Sequence, residues 1–281
     1  MPLKVAVTFD DYYTRDELGL GFPTVSCRRV GLDSDRMLVF ACEDYGVRPT
    51  VFAPGAVAEV YPEVVREIAV SFEAAAHGYR HESFCRPLRQ VRQLVSRAVR
   101  AFREAGVYVR GWRTPGQSYS PAVSRALREL GLAWCSDSWI PLALKPRPFA
   151  YRGVVEIPAT MPVDYEVLAK RRATSASFAR AWLRGLEQAR RQGGVLVALF
   201  HPWLMALSRE RQAVLRVLLE EVSSVDGVVF LTCSELAREQ SLSLRLAVSK
   251  AVLELYHCRL GEAGRPLELR RALHSGRVLH R

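Results

Sequence analysis

The run Lys4-Val5-Ala6-Val7-Thr8-Phe9-Asp10-Asp11 decides the reading of this chain. Six residues with the make-up of a buried strand stop abruptly on two carboxylates. So apolar a strand is expected in a parallel sheet covered on both faces. Two acids at its carboxyl end stand where such sheets carry their chemistry.

The same grammar recurs outward from that stretch. Pro49-Thr50-Val51-Phe52-Ala53 reads as a second strand, closed by Pro54-Gly55. Phe72 to Ala76 reads as a third and ends at His77-Gly78. Val107 to Gly111 is a fourth, with Arg113-Thr114-Pro115-Gly116 beyond it. Leu132 to Cys135 is a fifth, and Val154 to Ile157 a sixth, stopped by Pro158. Val195 to Phe200 is the most apolar and ends at His201-Pro202, and Val228 to Leu231 completes the core. Helical stretches fall between them: about Ser34 to Tyr45, Ala56 to Val70, Leu88 to Ala105, Pro121 to Leu130, Ser177 to Arg191 and Arg209 to Ser223. In the third of these Leu88, Val91, Leu94, Val95, Ala98 and Phe102 share one face. Gly106 is its expected C-cap, and Ser120 before Pro121 is an expected N-cap. Strand then helix, repeated, implies parallel strands with crossover helices, and seven or eight such units close into a barrel.

Composition sets the bounds. The chain has 281 residues, 49% hydrophobic and 25% charged, which suits a folded core and excludes a disordered chain. No apolar run is long enough to span a bilayer. The net charge of +11 comes from 36 Arg and four Lys against 29 acids. Those arginines spread along the whole chain and no recognition module accompanies them, so nucleic acid is not the expected partner. The sequence has no Asn and only seven Gln, which fits heat adaptation. Six scattered Cys with no C-x-x-C pair argue against a zinc ribbon. With no export signal at Met1-Pro2-Leu3-Lys4, reduced thiols in a cytoplasm are the expectation.

The polar residues after successive strands are Asp10 and Asp11, His77 and His81, Arg113, Asp137, and His201. In a barrel these ends share one rim. Two His four apart plus one carboxylate make a catalytic zinc set with a position left for water. Either Asp10 or Asp11 can be the ligand, and the other can be the base that activates the attacking water. His201 can protonate a leaving amine. Arg113 can hold the basic carboxylate, and Asp137 can orient His201.

These fragments together resemble the polysaccharide deacetylase family, the NodB-homology fold of carbohydrate esterase family 4. Thr8-Phe9-Asp10-Asp11, His77-Gly78-Tyr79-Arg80-His81-Glu82, Arg113-Thr114-Pro115-Gly116, Ser136-Asp137-Ser138-Trp139 (more loosely) and Leu199-Phe200-His201 carry the resemblance, which spans roughly residues 4–240. It implies a distorted (β/α) barrel and one divalent metal ion, usually zinc. The implied reaction is hydrolysis of an N-acetyl amide by a metal-bound water. It also implies that Asp10 is the base and that Asp11, His77 and His81 are the ligands. Arg113 would orient Asp10, Asp137 would support His201, and His201 would protonate the amine. Leu199 would line the pocket for the acetyl methyl, with Pro115, Trp139 and Tyr12 on the substrate side. Tyr12 stands where the family has Gly, and the segment Tyr12 to Leu32 reads equally as a lid or a surface excursion. Trp112, Trp139 and Trp203 could stack on a sugar or pack the core.

The expected substrate is therefore an N-acetylated sugar or a small amide. His-Gly-Tyr-Arg-His-Glu also resembles allantoinase-like members that open cyclic ureides, which is the second reading. A non-catalytic saccharide-binding member is the third. The expected division is a barrel over 1–240 and a basic helical extension over 241–281. That extension has eight Lys or Arg against three Glu, with a helix from about Ser243 to Cys258 that could pair two copies.

Overall fold

A computed structural model describes residues 2–10, 32–118 and 120–242. Strand β1 (Leu3–Phe9) is the spine of the sheet. Leu3, Val5, Val7 and Phe9 pack in the larger core, and Ala6 packs in a second, smaller one. That alternation is the period of two of a strand buried on both faces. After β1 come α1 (Leu32–Phe40), β2 (Thr50–Ala53), α2 (Gly55–Val60), α3 (Pro62–Ser71), β3 (Glu73–Ala76) and α4 (Leu88–Glu104). Then follow β4 (Gly111–Trp112), α5 (Pro121–Glu129), β5 (Trp134–Cys135) and a hairpin of β6 (Phe149–Tyr151) with β7 (Val154–Glu156). The chain continues through α6 (Ser175–Gln192), β8 (Gly194–Phe200), α7 (Pro202–Met205), α8 (Arg209–Ser223), β9 (Val228–Phe230) and α9 (Cys233–Leu242).

The sheet runs β6-β7-β5-β4-β3-β2-β1-β8, with β9 also paired to β1. Every pairing is parallel except β6 with β7. The strands curl into a distorted, partly open (β/α) barrel. Its two sides approach just past β7, where the Thr160 and Met161 N–H groups both donate to Val197 O and Val197 N–H donates to Thr160 Oγ1. The smaller core lies inside the curl: Ala6, Phe52, Ala75, Trp134, Ile157 and Val197, joined by Cys233, Leu236 and Ala237 of α9. Cys233 N–H donates to Thr50 Oγ1 and Ser234 N–H to Glu73, the first residues of β2 and β3. Helix α9 thus covers the amino end of the barrel, and the carboxyl ends of the strands are left for chemistry.

Several elements differ from the sequence expectation. Pro62 splits the expected helix after β2 into α2 and α3, because proline lacks the N–H that would continue it. Ser120 sits at the N-cap of α5, but its hydroxyl makes no capping bond. The antiparallel β6 was not expected, and β4 pairs only at Gly111–Trp112. Strand β4 needs glycine there: a Cβ on Gly111 would lie 1.9 Å from the Trp134 indole that fills the interior. The helix expected from Ser243 to Cys258 and the pairing of copies through it lie outside the described residues, and helix α9 runs across the expected boundary at 240/241. Asp11, Tyr12 and the possible lid to Leu32 do so too, apart from the helical backbone at Leu32. Among the described residues no helix is long and apolar enough to cross a membrane.

Candidate active site

Strand alternation carries polar residues onto the inner rim. In β1, Ala6, Thr8 and Asp10 share a face. In β3 and its exit, Ala75 and His77 share one, and in β5 Trp134 and Ser136 do. In β8 the corresponding set is Val197, Leu199 and His201. Since Phe9 pairs with Phe200 and Asp10 N–H donates to Phe200 O, Asp10 and His201 leave neighbouring strands at matched heights.

Arg113 is wholly buried and serves as the hub of this rim. Its Nη1 donates to Asp10 Oδ1 and to Thr8 Oγ1 (2.9 Å), its Nε to Ser136 O (3.0 Å) and its Nη2 to Ser136 Oγ (2.7 Å). Thr8 Oγ1 in turn donates to Ala198 O, and Ser136 Oγ to Ile157 O. The guanidinium also lies 4.0 Å from the Phe52 ring centre. A buried ion pair is tolerated when hydrogen bonds take up its protons, and here four of the five guanidinium N–H groups have acceptors. Arg113 therefore holds Asp10 as the sequence pattern led one to expect.

His77 Nδ1 lies 2.9 Å from the Arg113 carbonyl oxygen. A carbonyl only accepts, so Nδ1 carries the proton and Nε2 keeps its lone pair, the tautomer of a metal-binding imidazole. His77 and His81 have ring centroids 5.4 Å apart. A ligating imidazole centre sits roughly 3 Å from its ion, so two rings at this separation can share one. They meet across a tight turn and not along a helix. The chain turns sharply, with Gly78 at φ 69° and His81 at φ 58°, and the Glu82 carboxylate accepts from Tyr79 N–H to hold the turn. Pro115 packs over it: a Cβ on Gly78 would come within 2.8 Å of the proline ring. This donor set fits a divalent cation, with Asp11 beyond the described residues.

One expected contact is corrected. The carboxylate on His201 is Asp164, not Asp137. Asp164 Oδ1 meets His201 Nδ1 at 2.7 Å, and Asp164 Oδ2 accepts from the His201 backbone N–H at 2.7 Å. Asp164 opens the π-helical turn Tyr165–Lys170 and is fully buried. Asp137 goes elsewhere because it follows Ser136 by one residue, and alternation turns it to the outer side with Cys135. There Oδ1 accepts from Thr114 N–H, while Oδ2 is buried without a partner. Asp137, Cys135 and Glu156 form a fully buried group. Within it the Glu156 carboxylate is already engaged: it accepts from Asp137 N–H, Ser138 N–H, Ser138 Oγ and the Cys135 thiol. Burial, then the neighbouring Glu156 charge, pushes Asp137 up to about 7, and burial also raises Glu156 and Cys135.

Asp164 lies well past the end of β7 and meets His201 only through the fold, so no strand terminus marks it in the sequence. Met161-Pro162-Val163-Asp164, an acid just past a Pro after a strand, was the available signal. Leu199 is buried one inward position below His201. Trp139 donates from Nε1 to Met161 O, which ties the fourth motif to the segment leading to Asp164. Tyr165 and Trp203 flank His201, with ring centroids 5.7 and 6.0 Å from it.

Residues 2–134 match the family model for polysaccharide deacetylase. Over that stretch, just under half of its length, the chain is similar to this family. Among solved structures, a Mycobacterium smegmatis protein assigned as a polysaccharide deacetylase is 27% identical. That alignment covers 88% of this chain and 93% of that one, with a TM-score of 0.72. A Pseudomonas aeruginosa PAO1 protein assigned to the same activity is 17% identical, with coverage of 87% and 92% and a TM-score of 0.71. Puue allantoinase is 16% identical, with coverage of 87% and 92% and a TM-score of 0.70. The last two show the shared fold. No curated protein matches the chain in sequence.

Proposed function

We propose that this polysaccharide deacetylase-like chain is a metal-dependent amide hydrolase that removes the acetyl group from an N-acetylated sugar. The observation that carries the reading is the pair of ready proton-transfer groups on adjacent strand ends. Arg113 holds Asp10, and Asp164 holds His201. Asp10 takes the proton of the attacking water. Arg113 keeps that carboxylate aimed inward. His201 delivers a proton to the departing amine, and Asp164 fixes its ring and stabilises its charged form. Asp11, His77 and His81 would hold a divalent ion, zinc by the resemblance, which supplies Lewis acidity to the scissile carbonyl and the attacking water. Leu199 would face the acetyl methyl, with Pro115, Trp139 and Tyr12 on the substrate side.

A second reading is hydrolysis of a cyclic ureide, supported by the fold shared with Puue allantoinase. The test is a panel of N-acetylglucosamine, its oligomers and allantoin, assayed with zinc-loaded protein. Acetate release from the sugars supports the first reading, and allantoin opening the second. No turnover of any, with one equivalent of metal bound, overturns both.

A further inference from the structure

Glu156 stands on β7, buried, and shares the outer side of the sheet with Cys135 and Asp137. A carboxylate there is costly unless donors surround it. Its donors all come from one short segment. Oε1 accepts from Asp137 N–H at 2.9 Å, Ser138 N–H at 2.8 Å and Ser138 Oγ at 2.6 Å, and Oε2 accepts from the Cys135 thiol at 3.1 Å. The segment so gripped contains Ser136, whose carbonyl and hydroxyl oxygens receive Arg113 Nε and Nη2. With those two nitrogens fixed, the planar guanidinium has one orientation left, and it points Nη1 at Asp10.

We propose that Glu156 is a positioning residue for the base: it holds residues 135–138, Ser136 sets the plane of Arg113, and Arg113 sets Asp10. This rests on the reading of Asp10 as the base. The relay crosses three parallel strand ends, β7 to β5 to β4, before reaching β1. Nothing in it touches substrate.

The experiment compares full-length wild type with Glu156→Gln, Glu156→Ala, Ser136→Ala and Asp10→Asn. It measures zinc content, kcat and KM for acetate release from N-acetylglucosamine oligomers, and crystal structures of the variants. Glu156→Gln keeps a carbonyl oxygen for the three Oε1 donors and should hold kcat within about threefold. Glu156→Ala should lower kcat about 100-fold, the scale of a misplacement near 1 Å. KM should stay within about twofold, zinc content should be unchanged, and the guanidinium should be displaced from Asp10. If Glu156→Ala does not fold, Ser136→Ala carries the test, with a fall in kcat of about tenfold at constant KM. Wild-type kcat in Glu156→Ala or Ser136→Ala, or an undisturbed Arg113–Asp10 pair in their crystals, overturns the proposal. Full turnover in Asp10→Asn would instead remove the base assignment. The crystals would still report whether Glu156 sets the Arg113–Asp10 pair.

Discussion

Asp164 grips His201 twice, through the ring Nδ1 and through the backbone N–H, each at 2.7 Å. One buried carboxylate thereby fixes where the imidazole hangs and how it is turned. With Nδ1–H committed to Asp164, proton exchange with a substrate runs through Nε2.

Asp164→Asn replaces an acceptor with a group that can present N–H to the ring and favour the wrong tautomer. Turnover should fall about 10³- to 10⁴-fold, by analogy with the carboxylate of a Ser-His-Asp triad. Asp137→Asn should cost less than about tenfold, since Asp137 faces Thr114 on the other side of the sheet. Steady-state kinetics of the two variants decide it, and the reverse ranking would restore Asp137 as the partner of His201.

Arg113→Lys keeps the charge and loses the fork. A Lys ammonium cannot reach Asp10, Thr8 and both Ser136 oxygens at once. The buried Asp10 carboxylate would lose its bound partner geometry, so stability should drop by about 3 kcal/mol. Urea unfolding of the two proteins measures this, and equal midpoints would mean the hub is dispensable.

Asp137 gives the pH dependence. Its folded value is raised to about 7, by burial first and Glu156 second. In an unfolded chain an Asp titrates near about 3.9. Between those values the native state keeps a proton that the unfolded chain has released. The contribution is therefore fully present below about pH 4 and lost as pH rises through about 7. Asp137→Asn should flatten the fall in stability between about pH 4 and 7. Denaturant midpoints across that range test it, and parallel curves would show that Asp137 is ionised throughout.

Removing one imidazole should weaken metal binding. His81→Ala should lower zinc occupancy well below one per chain after dialysis against a mild chelator, with the fold unchanged by circular dichroism. Full occupancy in the variant would take His81 out of the ligand set.

Gly111→Ala tests the interior of the barrel. The added methyl would meet the Trp134 indole at 1.9 Å, and that indole is buried and tied to Ser234 Oγ through Nε1. A loss of about 3 kcal/mol, at the upper end for overpacking, is expected in thermal or urea melts. A stability within about 0.5 kcal/mol of wild type would mean the indole moves freely.

The barrel and most of the rim were legible in the sequence. Apolar runs of four to six residues ending in Asp, His or Arg report strands and their carboxyl ends directly, because a buried strand writes itself as an unbroken hydrophobic run. What stayed hidden depended on geometry across strands. Short β4 and β5 carry too few residues to show a period. The face of Asp137 follows from where β5 pairs, and a shift of one residue reverses it. A carboxylate that gains its role only after a turn, as Asp164 does, has no spacing rule to announce it.

The alternation of strand and helix along the chain, the apolar core and the presence of Asp10, His77, Arg113 and His201 at strand ends were set by sequence alone, through hydrophobic periodicity and strand termini. Which carboxylate meets His201, and which residues steer Arg113, was decided only by the tertiary structure. Hydrogen bonds 2.5–3.0 Å long select partners by position in space, and residues 37 or 103 apart become neighbours only once the sheet has curled.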